Sequence, residues 1–465
     1  MVCAMLLDVP YGEGTLQAEL PERTAVIGGG AQNSLPPVGD LEATARAALT
    51  SPLGSPPVGE LVRHGSRVTI AFDDPTVSSF GPVRRVVIEQ LLDELTAAGV
   101  DRGDVTLICA NALHRKYRHT ELAKLLGEEL VEEFGERLFC HDAEDPENLV
   151  YLGQTPGGYD VEISRYVVDS DLTIYVNASH NRGFSGGWKS VCVGLSTYRS
   201  IRHHHTPDGM SMSLGKNRMH AMLDEMGSLL ESKIGGKIFK VDTLLSSPTE
   251  VARIFAGSVW DSRTAVLAEL NRLFPPRRSL SDKKYDAIVY GVPNWSPYAI
   301  YSFMNPLLTL VSSGLGYLGG TVQALGKPGC TVVMVTPCPN QWDEVHHASY
   351  PDVWKNVLSR TRDPYQIQHE FARRYAEDEP LIEKYRHEHA FHPVHAILAA
   401  YPLKRLKHVG RVIVVGCEDP ALPRHLDFEP VDTMDAALAS IESEHGGDYQ
   451  IAYIEQPPVP SKEIL

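Results

Sequence analysis

The sequence predicts an α/β protein of two domains, each a mainly parallel sheet with flanking helices. Three observations predict it. Short apolar runs alternate with amphipathic helical stretches along most of the chain. At 465 residues the chain is too long for one ordinary core. A stretch rich in proline, serine and charge, LFPPRRSLSDKK at 273–284, breaks the alternation into two series, so the expected domains are 1–275 and 285–465.

The elements follow in order. The opening MVCAMLLDVPYGEG has a short apolar stretch, no leading positive charge and an early Asp8, and reads as an edge strand rather than a secretory signal. VIGGGAQNSLPP at 26–37 lacks the third glycine of a dinucleotide fingerprint and carries prolines where a helix should start, so it reads as a flexible loop. RVTIAFDD at 67–74 is a buried strand, followed by a helix over 83–99. DVTLICAN at 104–111 is the next strand and TELAKLLGEEL at 120–130 the next helix. DLTIYVNAS at 171–179 is a strand ending in a Gly-rich loop. The second series holds YDAIVYGV at 285–292, a long apolar helix near 305–325, TVVMVTPC at 331–338 and RVIVVGC at 411–417. The stretch 340–400 reads as helical and the tail QPPVPSKEIL as extended.

Composition excludes several roles. Hydrophobic content of 43% and charged content of 22% are those of a globular protein. A net charge of −16, with no long basic run, opposes binding to nucleic acid or anionic lipid. No apolar run is long enough to span a membrane. The seven cysteines are scattered and form no C-x-x-C pair, which suits a reducing cytoplasm.

Four motifs carry chemistry. AFDDPTVSSFGP at 71–82 ends a strand in two carboxylates, Asp73 and Asp74, where open α/β sheets gather ligands; aspartate at a strand end also caps turns. CANALHRKYRH at 109–119 delivers His114, Arg115 and Lys116 to a strand end, an imidazole for proton transfer beside cations that can hold an anion, or else a solvated basic loop. VNASHNRGFSGGWKSV at 176–191 ends a strand at His180. Its glycines let backbone N–H groups approach a phosphate, and Lys189 follows. The Walker pattern is incomplete, because Trp188 precedes the lysine, so a phosphate-loop hydrolase is the weaker reading. A buried lysine after such a loop can be a covalent anchor, and a surface lysine after a turn is the alternative. RHHHTPDG at 202–209 sets His203, His204 and His205 side by side, imidazoles suited to nickel, zinc or copper, although neighbours point in different directions. A second histidine group, His387, His389, His392 and His395, is interrupted by Pro393 and reads as a polar surface segment outside the site.

In order and spacing these motifs, with YGEGTLQAELPER at 11–23 and SPLGSPPVGELVRHGSRVTIAFDDPT at 51–76, resemble the nickel-dependent lactate racemases over roughly the first 210 residues. The resemblance implies a racemase or epimerase of a 2-hydroxy acid, with a cofactor-binding catalytic first domain and a second domain contributing to the substrate cleft. It implies a nickel pincer nucleotide, made by separate cofactor-building enzymes. That group would be tethered through Lys189, cradled by Asp74, Ser185, Gly186 and Gly187, with His205 completing the nickel coordination. His114 matches one catalytic histidine, and His180 is the candidate for the other. In the family the C2 hydrogen passes to the cofactor as hydride while a histidine takes the hydroxyl proton, and return to the other face inverts the centre.

This chain departs from the family at defined positions. The second histidine should precede the lysine by ten, where Ser179 stands; His180 precedes it by nine. The arginine expected three residues after the aspartate is Val77. GVPNWSPYAIYSFMNPLL offers no Lys or Arg where the family has a glutamine and a lysine. A substrate other than lactate, larger or more hydroxylated, is therefore expected. Arg115 and Arg182 would hold its carboxylate, and Trp188, Tyr298 and Asn305 would complete its pocket. A carrier or storage protein for the nickel nucleotide, without turnover, is the competing reading.

Overall fold

The computed structural model describes residues 4–28, 35–179, 186–210, 218–234, 237–273 and 283–455. Its strands are β1 (Ala4–Tyr11), β2 (Gly14–Pro21), β3 (Ala25–Ile27), β4 (Val68–Asp73), β5 (Val105–Ala110), β6 (Leu138–Cys140), β7 (Leu149–Gln154), β8 (Asp160–Ser164), β9 (Leu172–Ser179), β10 (Ile238–Ser247), β11 (Glu250–Gly257), β12 (Tyr285–Gly291), β13 (Gly326–Val335), β14 (Val409–Val415), β15 (Glu429–Val431) and β16 (Ile451–Ile454). They build two six-stranded sheets and two hairpins, β1–β2 and β7–β8. The expected α/β class holds.

One compact unit comprises residues 33–275 with 382–392. Its sheet runs β11-β10-β9-β4-β5-β6, parallel except for the antiparallel pair β10–β11. β4 reads VTIAFD and is buried along its whole length, as a central parallel strand covered on both faces must be. The helix Val83–Ala97 buries Val83, Val87, Leu91 and Leu95 at helical spacing. The single helix expected over 120–130 is two, His119–Leu126 and Glu128–Phe134. Gly127 between them sits at φ 83°, a conformation that leaves the helix and favours glycine.

The other unit comprises residues 1–32, 276–381 and 393–465. Its sheet, β15-β14-β13-β12-β16-β3, is parallel throughout. The expected domain 1–275 therefore needs correction at its start. β3 extends this second sheet beside β16, and Val9, Ala18 and Leu20 of the first hairpin lie in the same core as Val289, Val333 and Ile413. Each fully buried valine, leucine or isoleucine among them contributes about 1.5–3 kcal/mol. Gly291 admits no side chain, because the Pro10 carbonyl oxygen lies 2.1 Å from where a Cβ would stand. The apolar helix expected near 305–325 is a wide π-type helix, Leu307–Tyr317, followed by Gly319–Leu325. The tail from 456 and the Gly-rich part of the 26–37 loop lie outside the described residues.

Candidate active site

The site forms in the first of these units, where β4, β5 and β9 end side by side. The two aspartates after β4 divide the work. Asp73 is structural: its carboxylate accepts from the Ala178 backbone N–H at 2.7 Å and from the Tyr175 hydroxyl at 2.9 Å, tying β9 to β4. Burial raises its pKa, and the cations Arg84 and Lys240 oppose the rise. Arg84 is itself buried and donates to the carbonyls of Ser79 and Val77, holding the loop that follows. Asp74 instead faces His114, with Oδ2 2.9 Å from Nδ1. The Thr76 hydroxyl donates to the other carboxylate oxygen at 2.6 Å.

His114 is delivered by a tight turn after β5. Its N–H donates to Asn111, the Asn111 amide donates back to the His114 carbonyl, and Ala112 takes φ 50° between them. The Ala112 N–H reaches the Gly194 carbonyl, which seats this turn on the end of the helix Trp188–Gly194. The edge of the Phe391 ring packs on the imidazole, centroids 5.8 Å apart. Phe391 belongs to the segment 382–392, which returns from the far half of the sequence to this unit. The His392 N–H donates to the Leu113 carbonyl, and its buried ring meets Glu144 at 2.9 Å. The expectation of a polar surface segment for this histidine group is corrected for His392 and His395, which are buried. The apolar residues Ala390, Phe391 and Val394 between the histidines of HAFHPVH are the signal that part of it packs inside.

The rest of the basic loop is occupied elsewhere. Arg115 is buried and makes a two-pronged bond to Glu121 at 2.7 and 3.0 Å, under the Tyr117 ring. A guanidinium so engaged is not placed to receive a substrate carboxylate, so that expectation for Arg115 is corrected. Lys116 pairs with Asp142 at 2.8 Å. Trp188 needs the same correction. It is buried in the core, and a Cβ on Gly227 would stand 2.0 Å from its ring, so the indole fills the notch that this glycine leaves in the helix Arg218–Ile234. It is a packing residue rather than a substrate contact.

Lys189 is the second residue of that short helix, just after Gly186 and Gly187 at φ 83° and 57°. Side chains at either glycine would press on Arg263, at 3.3 and 3.2 Å, so the backbone is drawn down onto this guanidinium. Beneath the turn lies a buried polar floor. Lys240 donates to Ser190 and Asp242, each at 2.8 Å, and Asn177 and Ser262 also donate to the Asp242 carboxylate. Burial, reinforced by Arg263 and opposed by Asp73 and Asp74, lowers the Lys189 ammonium to about 8. Compared with an ordinary lysine near 10.5, this raises the neutral, nucleophilic fraction at pH 7 by roughly three-hundredfold. Acetylation of Lys189 by dilute acetic anhydride, followed by peptide mass spectrometry, is therefore expected to reach half its limiting rate near pH 8. A midpoint near 10 would contradict the burial argument.

The three adjacent histidines separate into two environments. His203 points to Asp160, with Nε2 2.9 Å from Oδ2. His204 is fully buried, and its Nδ1 lies 2.7 Å from Nδ1 of His205. Burial and Lys189 hold His204 down at about 3; burial, His204, Lys189 and His114 hold His205 well below the usual range. Both rings are therefore neutral near pH 7, the form that can ligate a metal. The mutual influence of His205, Lys189 and His114 also places the three in one neighbourhood. Among the described residues no group of three or more His, Cys, Asp or Glu is arranged to hold a metal ion. His180, Arg182 and Ser185 lie outside the described residues.

Tyr298 and Asn305 belong to the other unit, on the segment after β12. Asn305 accepts from the Leu308 N–H at 3.0 Å and its amide lies 3.5 Å from His347. The Tyr298 ring meets His395 at 4.6 Å, and the Tyr350 hydroxyl lies 2.7 Å from Nδ1 of the same His395. These side chains make a polar and aromatic cluster beyond the C-terminal edge of a parallel sheet.

Residues 11–215 match the lactate racemase N-terminal domain. A lactate racemase from Lactiplantibacillus plantarum is 25% identical over 263 residues, and one from Thermoanaerobacterium thermosaccharolyticum is 26% identical over 262. Each match covers 54% of this chain and 59% of the relative, so the chain spans about three-fifths of the length of these curated relatives. Among solved structures, the lactate racemase apoprotein from T. thermosaccharolyticum aligns with TM-score 0.68 at 20% identity, covering 99% of this chain and all of that one. A protein from Thermotoga maritima aligns at 0.55 with 15% identity, covering 90% and 96%. Both likenesses are of fold.

Proposed function

We propose, on the premise that residues 11–215 belong to the lactate racemase N-terminal domain family, that this protein is an isomerase inverting C2 of a 2-hydroxy acid other than lactate. The observation that carries the reading is the Asp74–His114 pair standing beside a weakly basic Lys189 and a neutral His205.

These residues fit a tethered nickel pincer nucleotide. A lysine of lowered basicity can be acylated at neutral pH, and the Gly186–Gly187 turn keeps its backbone clear of side chains above Arg263. A neutral imidazole at His205 is the donor the protein would add to nickel. When bound, that group supplies a two-electron sink for the hydrogen at C2. The chain's own residues handle the proton. Asp74 on Nδ1 of His114 fixes the tautomer, so Nε2 takes the hydroxyl proton of one enantiomer, and the carboxylate stabilises the imidazolium that results. His180 is assigned the same task on the opposite face, and Arg182 the substrate carboxylate. Tyr298 and Asn305, on a segment that carries no lysine or arginine, would suit neutral hydroxyls on a longer acid, such as an aldonic acid. Cofactor-building enzymes would be the partners. A reducing cytoplasm suits the six free thiols among the described residues, where no helix is long and apolar enough to cross a membrane.

The test uses protein produced together with the cofactor-building enzymes and a panel of lactate, longer 2-hydroxy acids and aldonic acids in deuterium oxide. Proton NMR should show isomerisation of a hydroxylated acid, slow or absent turnover of lactate, and retention of the original hydrogen at C2. Fast turnover of lactate alone defeats the substrate assignment, and deuterium entering C2 defeats the transfer chemistry. An adduct on Lys189 with no isomerisation of any acid leaves the carrier reading.

A further inference from the structure

We propose that His204 is a positioning residue for the metal ligand His205, accepting the hydrogen on Nδ1 of His205 so that its Nε2 lone pair is presented to the metal. This inference rests on the function proposed above, and it assigns a role to a residue that reading leaves unused.

The backbone sets the geometry of the histidine triplet. The N–H groups of His204 and His205 both return to the Ile201 carbonyl, at 3.2 and 2.9 Å, so the triplet winds tightly off the helix Tyr198–Ile201. His203 is held outside this pair by Asp160 and by the edge of the Tyr159 ring, 5.8 Å away. Tight winding turns the next two rings toward each other, with centroids 4.8 Å apart at 64° and the two Nδ1 atoms at 2.7 Å.

Two ring nitrogens at that distance share one hydrogen. Two hydrogens would collide, and two bare lone pairs would repel. If His204 donates, His205 must carry its own hydrogen on Nε2 and has no lone pair left for a metal. If His205 donates, its Nε2 is a bare donor atom, and His204 carries its hydrogen on Nε2. The Nε2 of His204 is buried and has no hydrogen-bond partner among the described residues. No other group there commits His204 to either tautomer. A metal at His205 can therefore select the second arrangement, in which His204 orients the ligand as carboxylates and carbonyls do at other histidine–metal sites.

The test compares His204→Phe, which keeps a ring but no acceptor, with His204→Asn, whose Oδ1 can stand where Nδ1 stood. Both are produced with the cofactor-building enzymes. The readouts are the mass of the adduct on Lys189 and the half-life of bound nickel under a chelator. His204→Phe is expected to keep the adduct but to lose nickel about 10- to 100-fold faster than the parent, with His204→Asn restoring most of the retention. Equal retention by His204→Phe, or failure of His204→Asn to improve on it, overturns the proposal. Nitrogen-15 spectra of histidine-labelled parent protein, loaded with cofactor, give an answer independent of how the variants fold. A His205 signal protonated at Nδ1 supports the assignment, and one protonated at Nε2 ends it. Absence of any adduct on the parent overturns the functional reading itself, and this inference with it.

Discussion

Lys189→Ala and Lys189→Arg are both expected to lose the nucleotide adduct completely and isomerisation with it, while folding is preserved. The pair separates two roles for the residue. Arginine keeps the positive charge beside Asp73 and Asp74 but has no neutral amine to acylate, so a merely electrostatic role would survive in it and a covalent one would not. Intact-mass spectra of protein made with the cofactor-building enzymes read the adduct directly. Stability supplies a second check. Because burial lowers this lysine below its unfolded value, the unfolded chain binds the extra proton between about pH 8 and 10.5; stability rises with pH across that window, and the full burden of the charge is carried below it. Lys189→Ala relieves that burden, so its melting temperature at pH 7 should equal or exceed the parent's. A marked loss of stability would identify Lys189 as structural. An adduct surviving in Lys189→Arg would remove the tether from the proposal.

Asp74→Asn should lower turnover by about 10²–10⁴-fold and leave the Lys189 adduct in place. The carboxylate accepts from Nδ1 of His114 at 2.9 Å, which puts the exchangeable lone pair on Nε2. An asparagine amide presented to Nδ1 would reverse that bond, move the ring hydrogen to Nε2 and leave no base there, with almost no change in shape. His114→Gln should cost a similar factor, and the double variant little more than either alone, because the two residues act as one unit. Additive losses would show that Asp74 works separately from His114. Turnover unchanged in Asp74→Asn would take His114 out of the proton transfer.

The sequence by itself determined which strand ends meet. Alternation of buried strands and amphipathic helices prescribes a parallel sheet, and a parallel sheet brings its carboxyl ends to one edge. Asp74, His114 and Lys189, each just beyond such an end, therefore gather without any knowledge of loops. Tertiary structure alone decided the rest, because it turns on partners remote in the chain. Nothing local distinguishes Asp73 from Asp74; the Tyr175 hydroxyl and the Ala178 N–H claim the first and leave the second to His114. Arg115 looks like its neighbour Lys116 until Glu121 buries it, and Trp188 looks exposed beside its glycines until Gly227 opens a slot for it. β3 joined the second sheet because a short apolar strand pairs wherever an open edge accepts it, and β16 offered that edge, while the first hairpin packs on the same core as a separate two-stranded sheet. Periodicity reports which face of an element is buried; which surface buries it is settled only when the whole chain has packed.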